Sequence, residues 1–207
     1  MSFEVDVRRS LGEWTLERSF AAGEGLTVLF GPSGSGKSSI LNMIAGLLRP
    51  DRGRIRVNGI TLFDAEAGID LPPEARRVGY VFQDARLFPH KRVRANLLYG
   101  YRLASPCERW MELGEAVAFL GIGHLLERWP RSLSGGEAQR VAIGRALLSG
   151  ARSLLMDEPL TSLDQPRREE IMAVIARVRD ELQVPILYVT HDRGEADRLA
   201  NEIIVLN

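Results

Sequence analysis

The chain has 207 residues, enough for one sizeable domain, and its 45% hydrophobic and 26% charged residues are the balance of a globular protein, not a disordered one. Lys plus Arg (27) equals Asp plus Glu (27), which gives no support to a nucleic-acid-coating role. The single Cys107 excludes an internal disulfide and fits a reducing compartment, and no apolar run approaches bilayer-spanning length.

The opening stretch MSFEVDVRRSLGEW is acidic early and has no apolar h-region, so it does not read as a signal peptide. Any service to a membrane is therefore expected to run through a partner. LTVLF (Leu26 to Phe30) reads as a buried strand leading into GPSGSGKSS, and SILNMIAGLL has the apolar spacing of a helix, stopped by RPDRG. GRIRVNG predicts an exposed strand and turn, and RVGYVF a strand ending at Gln83.

From about Asp84 to Pro130 strand patterns disappear. ANLLYGYRL, MELGEAVAFLGI and GHLLERW read as short helices, which predicts a helical subdomain inserted at about 84–132. SLLMDEP and PILYVTHD return to buried strands. Between them QPRREEIMAVIARVRDEL is an amphipathic helix with Pro166 in its first turn. The chain ends on a strand, NEIIVLN, with no closing element, as expected of a domain taken from a longer protein. Strands alternating with helices predict an α/β fold with a mostly parallel sheet flanked by helices.

GPSGSGKS, Gly31 to Ser38, fits G-x-x-x-x-G-K-[ST] with the strand before it and helix after it that a phosphate-binding loop requires. Its glycines let the backbone wrap phosphates, Lys37 supplies a point charge, and the Ser38 hydroxyl can reach Mg²⁺. At the end of SLLMDEP, Asp157 is suited to hold the ion and Glu158 to polarise an attacking water. Ligands gather at the carboxyl ends of parallel strands, where Gln83 and His191 also fall. Gln83 suits Mg²⁺ or water, and His191 a γ-phosphate. His90 and His124 have no comparable placement.

A second anion-friendly helix start lies in LSGGEAQRVAIGRALL, where Ser134 and Glu137 have capping-box spacing.

The order GPSGSGKS, Gln83, LSGGE, LLMDEP, SLD (Ser162 to Asp164) and His191 resembles the ATPase subunit of ATP-binding cassette (ABC) transporters over essentially the whole chain. The resemblance implies a P-loop NTPase core with an antiparallel N-terminal β subdomain beside the inserted helices, in one domain over residues 1–207. It implies ATP and Mg²⁺ as ligands. Gly31, Pro32, Ser33, Gly34, Ser35, Gly36, Lys37, Ser38 and Ser39 would surround the phosphates. Ser38, Gln83 and Asp157 would serve Mg²⁺, Glu158 would be the general base, and His191 would contact the γ-phosphate.

Ser134, Gly135 and Gly136 would bind ATP held by a second subunit, with Asp164 in the loop between the two sites, so that a head-to-tail homodimer completes both. The aromatic stacked on adenine would come from the N-terminal strands, where Trp14 and Phe3 are the large rings; Trp14 is either that ring or a packing residue.

Within the family, RRVGYVFQDARLFPHKRVRANLLYG (Arg76 to Gly100) is similar to the ATPases of molybdate importers. That similarity implies membrane permease subunits, a periplasmic or extracellular solute-binding protein acting indirectly, no nucleic acid, and a peripheral place on the cytoplasmic face of the inner membrane. The alternatives are import of sulfate, phosphate or a sugar, or a non-transport ATPase of the same fold. The C-terminal regulatory domain of molybdate importer ATPases has no counterpart in this sequence.

Overall fold

The computed structural model describes residues 2–12 and 14–206, with Leu11 by its backbone alone. Asn207, the last residue of the predicted final strand, lies outside the described residues. Strands β1 (Phe3–Leu11) and β2 (Trp14–Ala22) form a hairpin paired from Phe3↔Ala22 to Leu11↔Trp14. Its other edge continues through β4 (Arg52–Val57), β5 (Ile60–Asp64) and β6 (Ile69–Asp70), giving an antiparallel sheet of order β2-β1-β4-β5-β6. The second sheet has order β10-β3-β9-β8-β7, and every pairing in it is parallel. Its strands are β3 (Leu26–Phe30), β7 (Val78–Val81), β8 (Ser153–Asp157), β9 (Ile186–Thr190) and β10 (Glu202–Val205). Layers cover both faces of the sheet, so its central strands are continuous apolar runs and do not alternate with polar residues.

Helix α1 (Lys37–Ala45) lies between the two sheets. Ile40, Leu41, Met43 and Ile44 are buried with Phe3, Val5 and Val7 of β1, Ile55 and Val57 of β4, and Leu29, Leu155 and Leu187 of the parallel sheet. The intervening residues Val28, Leu154, Met156, Ile186 and Tyr188 face a second core on the other side. The two-residue period of a strand thus divides each central strand between two cores. It also corrects the exposed-strand expectation for GRIRVNG: Arg52 and Arg54 face solvent, whereas Ile55 and Val57 are core.

The second core is shared with α2 (Val93–Leu103), α3 (Leu113–Leu120), α4 (Gly135–Leu148) and α5 (Gln165–Arg177), while α6 (Arg193–Leu199) packs beside β3 and β9. No strand occurs in residues 84–130. Gly144 of α4 lets α2 and α3 approach closely, because a Cβ there would lie 2.7 Å from Leu120 Cδ1 and 2.9 Å from Leu97 Cδ2.

The helix expected in GHLLERW is only a 3-10 turn, Gly123–Leu125. The carbonyls of Leu126 and Arg128 accept instead from Arg94 and Val93, satisfying the open N-terminus of α2 in place of a helix of their own. The long helix after Pro166 is α-helical to Arg177 and closes with a π-turn, Val178–Leu182, ended by Gln183 at φ 53°.

Candidate nucleotide site at the parallel strand ends

Register brings the candidate residues together. Phe30, the last residue of β3, pairs with Thr190, the last of β9, and Val189 pairs with Asp157, the last of β8. The loop from Gly31, the Asp157–Glu158 pair and His191 therefore leave the sheet from three adjacent strands. Gly34 (φ 85°) and Gly36 (φ 89°) take left-handed conformations, as the tight loop demands. Gly36 is also the N-cap of α1, and no side chain caps that helix. Its first backbone N–H groups are thus left for an anion, with the helix dipole behind them. Lys37 is buried, its Nζ donating to the carbonyls of Gly31 at 2.8 Å and Pro32 at 2.7 Å. Ser35 Oγ is buried in the same loop without a hydrogen-bond partner among the described residues.

Ser38 Oγ donates to Asp157 Oδ1 at 2.8 Å, and the Tyr80 hydroxyl lies 3.3 Å from Asp157 Oδ2 and 3.1 Å from Asn42 Oδ1. Burial raises the Asp157 pKa above the ordinary carboxylate value, and the Glu158 charge adds to the rise against the lowering by Ser38, Tyr80 and Lys37. Because the folded carboxyl holds its proton more tightly than the unfolded one, ionised Asp157 opposes folding at neutral pH. That penalty is relieved as pH falls through the raised value, or when a cation arrives.

Asp157→Asn is accordingly expected to raise the melting temperature of the nucleotide- and metal-free chain, since it removes the desolvated charge. Tyr80 retains Asn42 as an acceptor in that variant. Calorimetry checks this; a melting temperature at or below that of the wild type contradicts the assignment.

Glu158 follows with φ 44°, an unfavourable conformation for a non-glycine residue, held by its N–H on the Val189 carbonyl at 3.0 Å. Its Oε2 accepts from Thr161 Oγ1 at 3.1 Å and lies 3.0 Å from His191 Nδ1. The structure thus brings together Lys37, Ser38, Asp157, Glu158 and His191.

Gln83 is exposed two residues beyond the end of β7, whereas the sequence placed it at the strand end, and among the described residues no hydrogen bond joins its side chain to this group. The Gln139 amide holds the carbonyls of Phe82 and Gln83, Arg145 holds those of Ala85 and Arg86, and the chain turns through positive φ at Ala85 and Arg86. These backbone groups are committed to α4, so the strand cannot extend.

Ser134 is the N-cap of α4, and both bonds of its capping box with Glu137 form. The Ser134 N–H holds the Glu137 pKa below its usual range. The box occupies the N–H groups of Ser134 and Glu137, leaving those of Gly135 and Gly136 outside it. No hydrogen bond joins this helix start to the loop at Gly31–Ser39 among the described residues. Asp164 is likewise an N-cap, that of α5, accepting from Arg167 N at 3.1 Å. Phe3 is buried, which removes it as a stacking ring; Trp14 is 46% exposed. Trp14 shares a strand face with Leu16, whose Cδ1 would be 2.6 Å from a Cβ on Gly36, so the ring lies on the strand beside the phosphate loop.

Sequence reading missed Tyr80, Asn42, Thr161 and Gln139. Tyr80 sat inside a strand motif with nothing local to mark it, and the Gln139 contact spans 57 residues. Among the described residues no helix is long and apolar enough to cross a membrane.

The sequence profile of the ABC transporter family matches residues 16–161, more than two thirds of the chain. The molybdenum import ATP-binding protein ModC of Brucella melitensis is 57% identical over 203 residues, covering 98% of this chain and 56% of its own length. The protein of the same name in Paramagnetospirillum magneticum is 54% identical, over 99% of this chain and 56% of its length. The chain thus spans just over half the length of these curated relatives. Among solved structures, the dimeric post-hydrolysis state of the ATP-binding cassette MJ0796 bound to ADP and Pi superposes with TM-score 0.78 at 28% identity, covering 100% of this chain and 94% of that one. cbiO1 of Clostridium perfringens, part of an ABC transporter complex, shares the fold with TM-score 0.82 at 24% identity, over 99% and 84% of the two chains. Profile, relatives and geometry agree, and the chain belongs to the ABC transporter family of ATP-binding cassettes.

Proposed function

We propose that this chain is the ATP-hydrolysing subunit of an importer whose cargo is an oxyanion, molybdate. The observation that carries the hydrolysis is the pairing of two contacts at neighbouring strand ends, Ser38 with Asp157 and Glu158 with His191, in front of an uncapped helix start. A hydroxyl and a carboxylate at 2.8 Å form an all-oxygen donor pair, suited to a small hard cation that shares phosphate oxygens. Mg²⁺ therefore fits, held by Ser38 and Asp157 with Gln83 brought in. When bound, it neutralises charge on the transferring phosphoryl group.

The Gly31–Ser39 backbone and Lys37 bind the phosphates, and Trp14 covers the adenine. Glu158 accepts the proton of the attacking water, while His191 holds the γ-phosphate. The N-terminus of α4, with Ser134, Gly135 and Gly136, closes the site of a second copy, and the loop at Asp164 lies between the two sites. Closing and opening of this pair would drive permease subunits from the cytoplasmic side of the membrane, with the solute-binding protein acting on the far side.

The cargo is supported by the identity to the molybdenum importers' ATP-binding proteins. With its membrane partner reconstituted, ATP hydrolysis is expected to rise when the binding protein delivers molybdate or tungstate, and not with sulfate or phosphate. Stimulation by another solute where both metal oxyanions fail would reassign the cargo.

A further inference from the structure

His191 is one residue in a short segment whose two neighbours are both fixed from behind. Buried Glu195 accepts from the Tyr188 hydroxyl at 2.8 Å and from Thr190 Oγ1 at 2.7 Å, and Thr190 Oγ1 in turn accepts from Asp192 N at 3.0 Å. Asp192 caps α6 through Oδ1, which takes the N–H groups of Gly194 and Glu195. Its other oxygen accepts from Arg168 Nη1 at 2.9 Å. Arg168 stands on the first turn of α5, its N–H donating to the carbonyl of Asp164 at 2.9 Å. One side chain thereby ties the helix begun by Asp164 to the segment that presents His191 to Glu158. Arg168 Nε is buried without a hydrogen-bond partner among the described residues, and stands 3.9 Å from Glu195 Oε1. A donor left unsatisfied this close to a carboxylate gains a bond from a small movement of α5.

We propose that Arg168 is a positioning residue: through Asp192 and Glu195 it sets His191 against Glu158, and so links the loop at Ser162–Asp164 to hydrolysis. Movement of that loop on pairing with a second copy carries α5 toward Glu195 and locks the histidine segment. The proposal rests on the reading of His191 as a phosphate contact. Arg168 touches no nucleotide in this account, so its loss should be felt in turnover and not in ATP affinity.

The test is a mutant cycle on the purified full chain with MgATP, read by single-turnover hydrolysis. Arg168→Gln is expected to lower the rate roughly 10- to 100-fold with KM for ATP within about twofold. Arg168→Lys, which keeps the charge near Asp192, recovers part of it. In a His191→Ala background Arg168→Gln costs nothing further, since the group it positions is gone. The same fold loss in both backgrounds, or a loss confined to KM, overturns the proposal. A His191→Ala chain as active as wild type overturns the phosphate-contact reading itself, a result distinct from additive losses.

Discussion

Replacing Glu158 with glutamine yields a chain that binds MgATP as the wild type does but hydrolyses it some 10²- to 10⁴-fold more slowly, the usual contribution of a positioned general base. The substitution keeps the shape, and the amide oxygen can still accept from Thr161 Oγ1. What is lost is the ability to take a proton. Because Lys37, Ser38 and the uncapped start of α1 are untouched, nucleotide affinity is preserved. ATP that cannot be cleaved then holds two chains together, so the variant accumulates as a dimer in gel filtration with MgATP. Turnover within about twofold of wild type would remove Glu158 from the role of base.

The second large effect comes from the other helix start. Gly136→Asp places a carboxylate at the second residue of α4, where the helix dipole favours it and where aspartate is a slightly better helix former than glycine. Gly136 is buried, but a Cβ there would lie 3.4 Å from Arg167 Cβ, on a half-exposed side chain that can yield and pair with the new charge, so the chain is expected to fold. Set beside Arg167, the carboxylate would still put a negative charge at the helix start that, in the proposed pair, meets the incoming γ-phosphate. A single Gly136→Asp chain should therefore bind ATP normally at its own loop and fail to hydrolyse it, by at least about 100-fold. Hydrolysis at the wild-type rate would show that this helix start plays no part in the site.

What could be read from the sequence was carried by local chemistry. The loop at Gly31–Ser38 and the capping box at Ser134 each lie within a few residues, and their geometry follows from glycine conformation and side-chain reach. The central strands were legible because parallel strands buried on both faces are uniformly apolar. Misreadings arose where distant residues decide. GHLLERW spends its carbonyls on the start of α2, some 30 residues earlier, and the strand toward Gln83 ends where α4 takes its backbone. The Arg168–Asp192 tie spans 24 residues with no motif to mark it. The helix start at Ser134 was legible locally as an anion site, while its partner came only from the family resemblance; among the described residues no hydrogen bond joins it to the phosphate loop of its own chain.

In the proposed pair each chain carries two unlike halves of a site that only the pair completes. A Lys37→Ala chain and a Gly136→Asp chain, each expected to be inactive alone, are mixed. In a mixed dimer both defects fall in one site and the other is wholly wild type. Hydrolysis should therefore return on mixing, to as much as about a quarter of the wild-type rate, if pairing is random and the sites act independently. No recovery at concentrations where wild-type chains are active would mean that each chain builds its site alone.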